Sequence, residues 1–379
     1  MIHDVAIIGG GPAGSAAALI LVQAGFRVAV IGPDAIPGDA TRGETLGPMA
    51  SPILARLGLS HLLDAPDFPV VRGFASNWGE EHVRYRPGFL VPDARTHRVD
   101  RPVFDRALRR SVERAGAFSI AVRARWTRWD GQTWRIGLET GDEAAAWFLI
   151  DASGRGGAFA RRAGAKLMAV DRMIAATVVM PWREPAGQAT VRIAPAHDGW
   201  MFAMTGAVDH GVFSFFTDSD LHRREQGGLQ EVLRRRLLDQ IRTVFPETIA
   251  ADVSEARFWS AATLILEHAG VPRLLAVGDA AQTRDPLSAQ GIAAAMLDSE
   301  KAAHALIAAS RGDHAALEHH ERDRRLDVIA SLRRRQQHYR AEQRWFDQPF
   351  WSRRTDASYL KPFAARLCRE TTPKNHRIV

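Results

Sequence analysis

Gly9, Gly11 and Gly14 follow a β-rich run from Asp4 to Ile8 and open an alanine-rich stretch from Ser15 to Ala24. That spacing meets a definite chemical need. One glycine makes a tight turn, a second lets backbone amides approach a pyrophosphate, and a third lets the helix pack closely on the strand. The start of the helix adds unpaired amides and the positive end of its dipole. Val28 to Ile31 supplies a second strand, so strand, turn, helix and strand fall within the first 35 residues. An acid that holds a ribose belongs at the end of that second strand, about twenty residues on. Register puts Gly32 there, which has no side chain. Asp34 lies close enough to substitute, and a backbone or water contact would also serve.

Two further turns repeat the theme. Asp151-Ala152-Ser153-Gly154-Arg155-Gly156-Gly157 follows an apolar run ending at Ile150 and precedes a helix expected from about Ala158. Leu274 to Val277 runs into Gly278-Asp279, which sets one carboxylate where a ribityl hydroxyl can be gripped. Six residues later Asp285-Pro286-Leu287-Ser288-Ala289-Gln290-Gly291 ends at a helix start, whose free amides can stabilise negative charge on a reduced flavin. Any one of these could be a plain strand-to-helix turn. Three in one chain are together specific for a nucleotide-bound flavin, with Pro286, Gln290 and Gly291 the candidates beside it.

The elements that must hold these turns are legible in outline. Residues 100–116 read as an amphipathic helix opened by an acid and a proline, and 221–243 as another helical stretch. Residues 119–150 and 173–217 read as short strands, the latter with Trp200, Phe202, Phe213, Phe215 and Phe216 spaced for a sheet with one buried face. From Ile292 onward the pattern is helical and increasingly charged. The fold class is α/β: a Rossmann-like FAD-binding domain interrupted by a mainly antiparallel β-sheet substrate domain, with a helical C-terminal tail. The boundaries expected are 1–72, 96–165 and 270–330 for the FAD domain, 73–95 and 166–269 for the substrate domain, and 331–379 for the C-terminal region. An interrupted nucleotide lobe favours a flavoprotein over a contiguous nicotinamide dehydrogenase.

Composition narrows the classes. The 379 residues are 46% hydrophobic and 25% charged, the balance of a folded globular chain. Only four cations are lysines, Lys166, Lys301, Lys361 and Lys374, and the many arginines are interleaved with acids rather than massed, so nucleic acid is not an expected partner. The single cysteine, Cys368, excludes an intrachain disulfide and any multi-cysteine metal site. No signal peptide or membrane span is expected, and the reading is a cytoplasmic protein without metal. His97 reads as a structural histidine near the insert boundary, and His319-His320 as a pair on a solvated helix.

The set Gly9 to Gly14, Arg101-Pro-Val-Phe-Asp105, Asp151 to Arg155, and Gly278-Asp279 with Asp285 to Gly291 resembles the FAD-dependent monooxygenases of the para-hydroxybenzoate hydroxylase type, in the branch shared with flavin-dependent halogenases and geranylgeranyl reductases. Further pieces are similar to the flavoproteins that accompany quinone-cofactor enzymes and modify residues of a partner protein. They are Arg42-Gly43-Glu44-Thr45-Leu46, Ser76-Asn77-Trp78-Gly79, Gly199-Trp200-Met201, Phe216 to Asp220, Glu342-x-Arg344-Trp345 and Phe350-Trp351-x-Arg353-Arg354. The resemblance implies that Asp279 holds the ribityl chain and that Arg101 lies on the FAD side, with Arg42 a further cofactor contact. It implies hydroxylation of an electron-rich aromatic through a flavin C4a-hydroperoxide, using O2 and electrons from NAD(P)H or from reduced flavin supplied by a separate reductase. The substrate expected is a small phenol or indole, or a Trp or Tyr borne on a peptide or protein. Glu44, Trp200, Pro286 and Gly291 are the candidates beside the flavin or the substrate, and Trp78, Phe202, Phe213 and Phe215 are candidate pocket walls.

Competing functions are weighed on single features. The halogenase branch uses a lysine near its substrate, and no lysine precedes Lys166, with Arg72 and Arg84 in the relevant region. Reduction of an isoprenoid-like substrate calls for a long apolar tunnel, on which composition is silent. A binding protein that keeps the FAD fold without catalysis would fit Gly32 but has no use for the Gly278-Asp279 and Asp285 to Ser288 turns.

Overall fold

The computed structural model describes residues 2–34, 44–88, 95–182, 191–205, 210–223, 225–245, 252–267, 270, 271, 273–313 and 315–368. Arg42 and Gly43 lie outside them.

The nucleotide lobe is built on parallel strands. Ile2–Ile8 sits between Glu143–Asp151 and Val28–Ile31, with Leu274–Ala276 beyond the first and Phe118–Ile120 beyond the second, all parallel. Gly270–Val271, Trp134–Leu138 and Ala124–Trp129 add antiparallel strands. Val5, Ala6, Ile7 and Val28 to Ile31 are all buried, as a sheet covered on both faces requires. Helix Pro12–Gln23 packs along helix Gly291–Ser310, and alanines on both let the backbones come close. Helix Arg101–Arg114 begins where expected: the Asp100 carboxylate accepts from the Val103 amide at 3.2 Å, Pro102 stands in the first turn, and Phe104, Leu108 and Val112 bury one face at a spacing of four.

The second sheet has seven strands in the order Arg257–Ser260, Met173–Pro181, His210–Asp218, Gly199–Thr205, Val191–Ala196, Gly73–Ser76 and Arg84–Pro87. Its pairings are antiparallel except for Val191–Ile193 against Phe74–Ser76, which is parallel. Helix Leu229–Val244 covers one face, beginning later than the expected residue 221 because 219–223 and 225–227 form turns and bends. Strand parity then sorts the aromatics. Phe213 and Phe215 lie in the core beneath that helix with Trp182, Phe245 and Leu237, so they are not walls of a site on the other face. Trp200 and Phe216 face the opposite side, where Tyr339, Phe350 and Trp351 of the C-terminal region cover them.

Two small antiparallel pairs, Glu44–Leu46 with His97–Val99 and Leu167–Ala169 with Leu264–Leu266, mark where the chain crosses between the large sheets. Helix Ala316–Arg340 runs unbroken through the boundary expected at 330, so the C-terminal region grows directly out of the nucleotide lobe. His97 is buried, with Nδ1 2.8 Å from the Phe68 carbonyl oxygen. His320 corrects the sequence reading: it is buried rather than solvated, on the side of the helix turned to the Gly291–Ser310 helix, while His319 is exposed.

Candidate active site

The glycines of the first turn divide into two kinds. Gly9 has φ +113°, and a side chain there would run into the Ala152 carbonyl; one at Gly14 would run into the Gly9 carbonyl. These two are required by the protein's own packing. Gly11 is different: as the N-cap of helix Pro12–Gln23 it has φ −77° and ψ −171°, which any residue adopts, and a Cβ there would meet nothing within 4 Å. Nothing in the described chain requires glycine at this position. Gly291, the first residue of helix Gly291–Ser310, also opens onto free space. Open room over two helix N-termini, with unpaired amides beneath, fits a diphosphate at the first and the flavin ring at the second.

The turns between these helices are held from behind. Asp151 is fully buried, and its carboxylate accepts from the amides of Ser153 at 3.0 Å, Phe159 at 3.0 Å and Ala160 at 2.7 Å, so it fixes the 151–157 turn and caps helix Ala158–Arg162. Gly278 has φ +58° and no room for a side chain, since a Cβ would lie 2.7 Å from the Ala13 Cβ. Its amide donates at 2.8 Å to Asp298, a half-buried carboxylate on helix Gly291–Ser310. Burial pushes the Asp298 carboxyl up, against the opposing pull of His320, the Gly278 amide, Arg324 and Arg284. Burial likewise pushes His320 down, with Asp298 opposing. Asp279 stands half-buried in the short helical turn so fixed.

Glu44 and Arg101 come together: Arg101 donates to the Glu44 carboxylate at 2.6 Å and to Asp105 at 3.2 Å. Asp34 is 68% exposed at its side chain and pairs with Arg109 at 3.1 Å. Asp285 caps the Pro286–Ser288 turn through the Leu287 amide at 3.0 Å, and its other oxygen accepts from Arg335 at 2.7 Å and from the Tyr339 hydroxyl at 3.1 Å. Arg335 also pairs with Asp171 at 2.8 Å. Burial, and then the neighbouring Asp285 charge, hold the Tyr339 phenol well above its ordinary value, so it stays a hydroxyl.

An aromatic face stands against that turn. Trp200 stacks on Phe216 with ring centres 4.1 Å apart and donates from Nε1 to the Tyr339 oxygen at 3.1 Å. Trp78, Trp345 and Trp351 continue the cluster, with Trp78 5.3 Å and Trp345 5.9 Å from Trp351, and Leu287 of the turn packs against it. The motifs at 76–79, 199–201, 216–220, 342–345 and 350–354 prove to be one interlocked unit, whereas Glu44 pairs with Arg101, and Arg42 and Gly43 lie outside the described residues. Glu342, fully buried, accepts from the Gly79 amide at 3.0 Å; Arg344 donates to the Asn77 carbonyl at 2.7 Å; and Trp78 donates to the His338 carbonyl at 2.8 Å. Trp351 donates to the carbonyls of Ala196 and His197, and Arg353 and Arg354 grip Asp218 at 3.2 and 2.6 Å. Burial would raise the Asp218 carboxyl, but the two arginines hold it below the usual carboxylate range.

The sequence reading did not single out Arg109, Asp298, Arg335 or Tyr339. Only the last pair left a trace, an Arg and a Tyr four apart on an otherwise charged helix. Among the described residues no three of His, Cys, Asp and Glu gather as a metal site, and no helix is long and apolar enough to cross a membrane.

Comparison with known proteins places this geometry. LodB of Marinomonas mediterranea, named as a candidate FAD-dependent oxidoreductase, is 24% identical over 372 residues, covering 95% of this chain and 98% of that protein. Tryptophan 2-halogenase of Chondromyces crocatus is 31% identical over 171 residues, 41% of this chain and 31% of that one. Among solved structures, the myxobacterial chondrochloren halogenase CndH superposes with a TM-score of 0.81 at 23% identity, over 97% of this chain and 91% of that one. The peptidyl tryptophan dihydroxylase QhpG, described as essential for tryptophylquinone cofactor biogenesis, does so with a TM-score of 0.77 at 22% identity, over 94% and 79%. These structures share the fold. The family described as FAD binding domain matches residues 3–335, and the chain belongs to that family, as an FAD-dependent oxidoreductase.

Proposed function

We propose that this protein is an FAD-dependent monooxygenase that hydroxylates an electron-rich aromatic ring, with a Trp or Tyr on a partner polypeptide as the first choice of substrate. The observation that carries the reading is the aromatic cluster centred on Trp200, Phe216 and Trp351, itself buried, with Trp78, Phe202 and Leu287 of the Asp285–Ser288 turn packed against it and only partly buried. No lysine precedes Lys166 in the sequence, which speaks against halogenation, although the fold is shared with halogenases. The similarity to LodB over nearly the whole chain supports an FAD-dependent oxidoreductase, and the fold likeness to a peptidyl tryptophan dihydroxylase supports a polypeptide substrate over a free small phenol or indole.

Bound FAD supplies the redox chemistry, with electrons from NAD(P)H or a separate reductase and one oxygen atom from O2. The protein's own task is to bind, orient and exclude water. Gly11 and Asp279 would hold the diphosphate and the ribityl chain, and the amides at Gly291 would stabilise negative charge at the flavin. The Asp285–Arg335–Tyr339 cluster fixes the turn leading to those amides and, through Trp200, the wall beside it. Glu342, Arg344 and the Asp218–Arg354 pair fasten the C-terminal region over Trp200 and Phe216 and so fix the buried centre of the aromatic cluster. The single cysteine suits a reducing, cytoplasmic setting.

The test incubates the protein, an electron source and labelled oxygen with the polypeptide encoded beside it, and reads product mass. Gain of one or more labelled oxygens on an aromatic residue is expected. Addition of chloride, reduction of a double bond, or oxygen uptake yielding only peroxide with every aromatic supplied would overturn the reading.

A further inference from the structure

We propose that Arg109 holds the adenosine ribose of FAD in this chain, in place of the carboxylate that Gly32 cannot supply. The inference rests on FAD as the cofactor and is independent of what the flavin oxidises.

In dinucleotide-binding βαβ units the ribose lies between the glycine turn and the end of the second strand, where a side chain normally accepts its hydroxyl hydrogens. Here that strand, Val28–Ile31, ends at Gly32, and Asp34 is turned to Arg109. The space is instead bordered by a guanidinium. Arg109 comes from helix Arg101–Arg114, two turns beyond Arg101, and is only 7% exposed. It sits against the glycine turn so closely that a Cβ on Gly10 would lie 3.2 Å from its Cζ. One nitrogen donates to the Pro33 carbonyl at 2.6 Å and the other to the Gly32 carbonyl, which fixes the plane of the group.

One donor remains. The Nε–H of Arg109 is buried and has no acceptor among the described residues. A buried donor without a partner costs free energy, and a guanidinium cannot escape that cost by losing its proton. A ribose hydroxyl accepts as well as donates, so its oxygen satisfies this nitrogen where a carboxylate would otherwise have taken the hydroxyl hydrogen. The arrangement accounts for two oddities together: the strand can end in glycine because recognition has passed to another element, and Asp34 is a positioning residue that steadies Arg109.

The test uses apoprotein and two probes, FAD and the same dinucleotide with 2′,3′-dideoxyadenosine in place of adenosine, with affinities read from flavin fluorescence. Wild-type protein should bind the dideoxy probe about tenfold to a hundredfold more weakly than FAD, the range for one hydrogen bond to a charged group. Arg109→Gln and Arg109→Lys should bind the two probes equally; the lysine keeps a cationic donor for the Gly32 and Pro33 carbonyls if the glutamine variant fails to fold. Equal binding of both probes by wild-type protein, or a preference for FAD retained in either variant, would overturn the proposal. Absence of any FAD binding by wild-type apoprotein would instead count against the cofactor site as a whole.

Discussion

Replacing Gly11 with valine should abolish tight FAD binding while leaving the apoprotein folded. The backbone there already has φ and ψ that valine tolerates, and a Cβ would meet nothing within 4 Å, so the substitution introduces no internal clash. Valine is a poorer N-cap than glycine, at a cost to the helix of about 1 kcal/mol. The branched side chain would instead fill the room over the first amides of the helix. Each amide bond to a charged group is worth about 1.5–3 kcal/mol, and displacing a diphosphate from two of them predicts a loss of roughly 3–6 kcal/mol, about 10²- to 10⁴-fold in Kd. Gly14→Ala is the contrasting change: its methyl would run into the Gly9 carbonyl, so it should lower the melting temperature of the apoprotein itself. Thermal melts of apoprotein and FAD titration by fluorescence separate the two effects. Wild-type affinity in Gly11→Val would refute the assignment of that open room to the diphosphate, and a wild-type melt for Gly14→Ala would refute the packing argument.

Tyr339→Phe keeps the ring but leaves the buried Trp200 indole without its acceptor and Asp285 without one donor, so it should cost about 1–3 kcal/mol in chemical denaturation; an unchanged midpoint would dissolve the proposed link between wall and turn. Asp218→Asn breaks a buried ion pair and should cost about 3–5 kcal/mol at neutral pH. The Asp218 carboxyl is depressed in the folded protein, so its stabilisation is fully present above the ordinary carboxylate value of 3.8 and is lost as pH falls below it. Acid unfolding of wild-type protein should therefore steepen in that window, and the asparagine variant should show a shallower acid limb; parallel limbs would contradict the pairing.

The nucleotide lobe was legible because its signals are local. A strand, a glycine turn and a helix start are neighbours in the chain, and the steric demand for glycine at Gly9 and Gly14 acts over a few residues or against the adjoining turn. The same holds for the acid and proline that open helix Arg101–Arg114. What sequence could not decide was which residues meet across long separations. Period-two spacing marked the aromatics of strand His210–Asp218 but not which side held the site, and burial beneath helix Leu229–Val244 removed Phe213 and Phe215 while leaving Phe216. Glu342 meets Gly79 across 263 residues and Trp200 meets Tyr339 across 139, contacts with no local propensity behind them. Gly32 shows the limit most plainly. Sequence by itself established that the usual ribose acid is missing, because that position is counted along one strand; only the packing of a separate helix decided that a buried arginine stands beside the gap, because a side chain's reach depends on where its helix lies and not on its place in the chain.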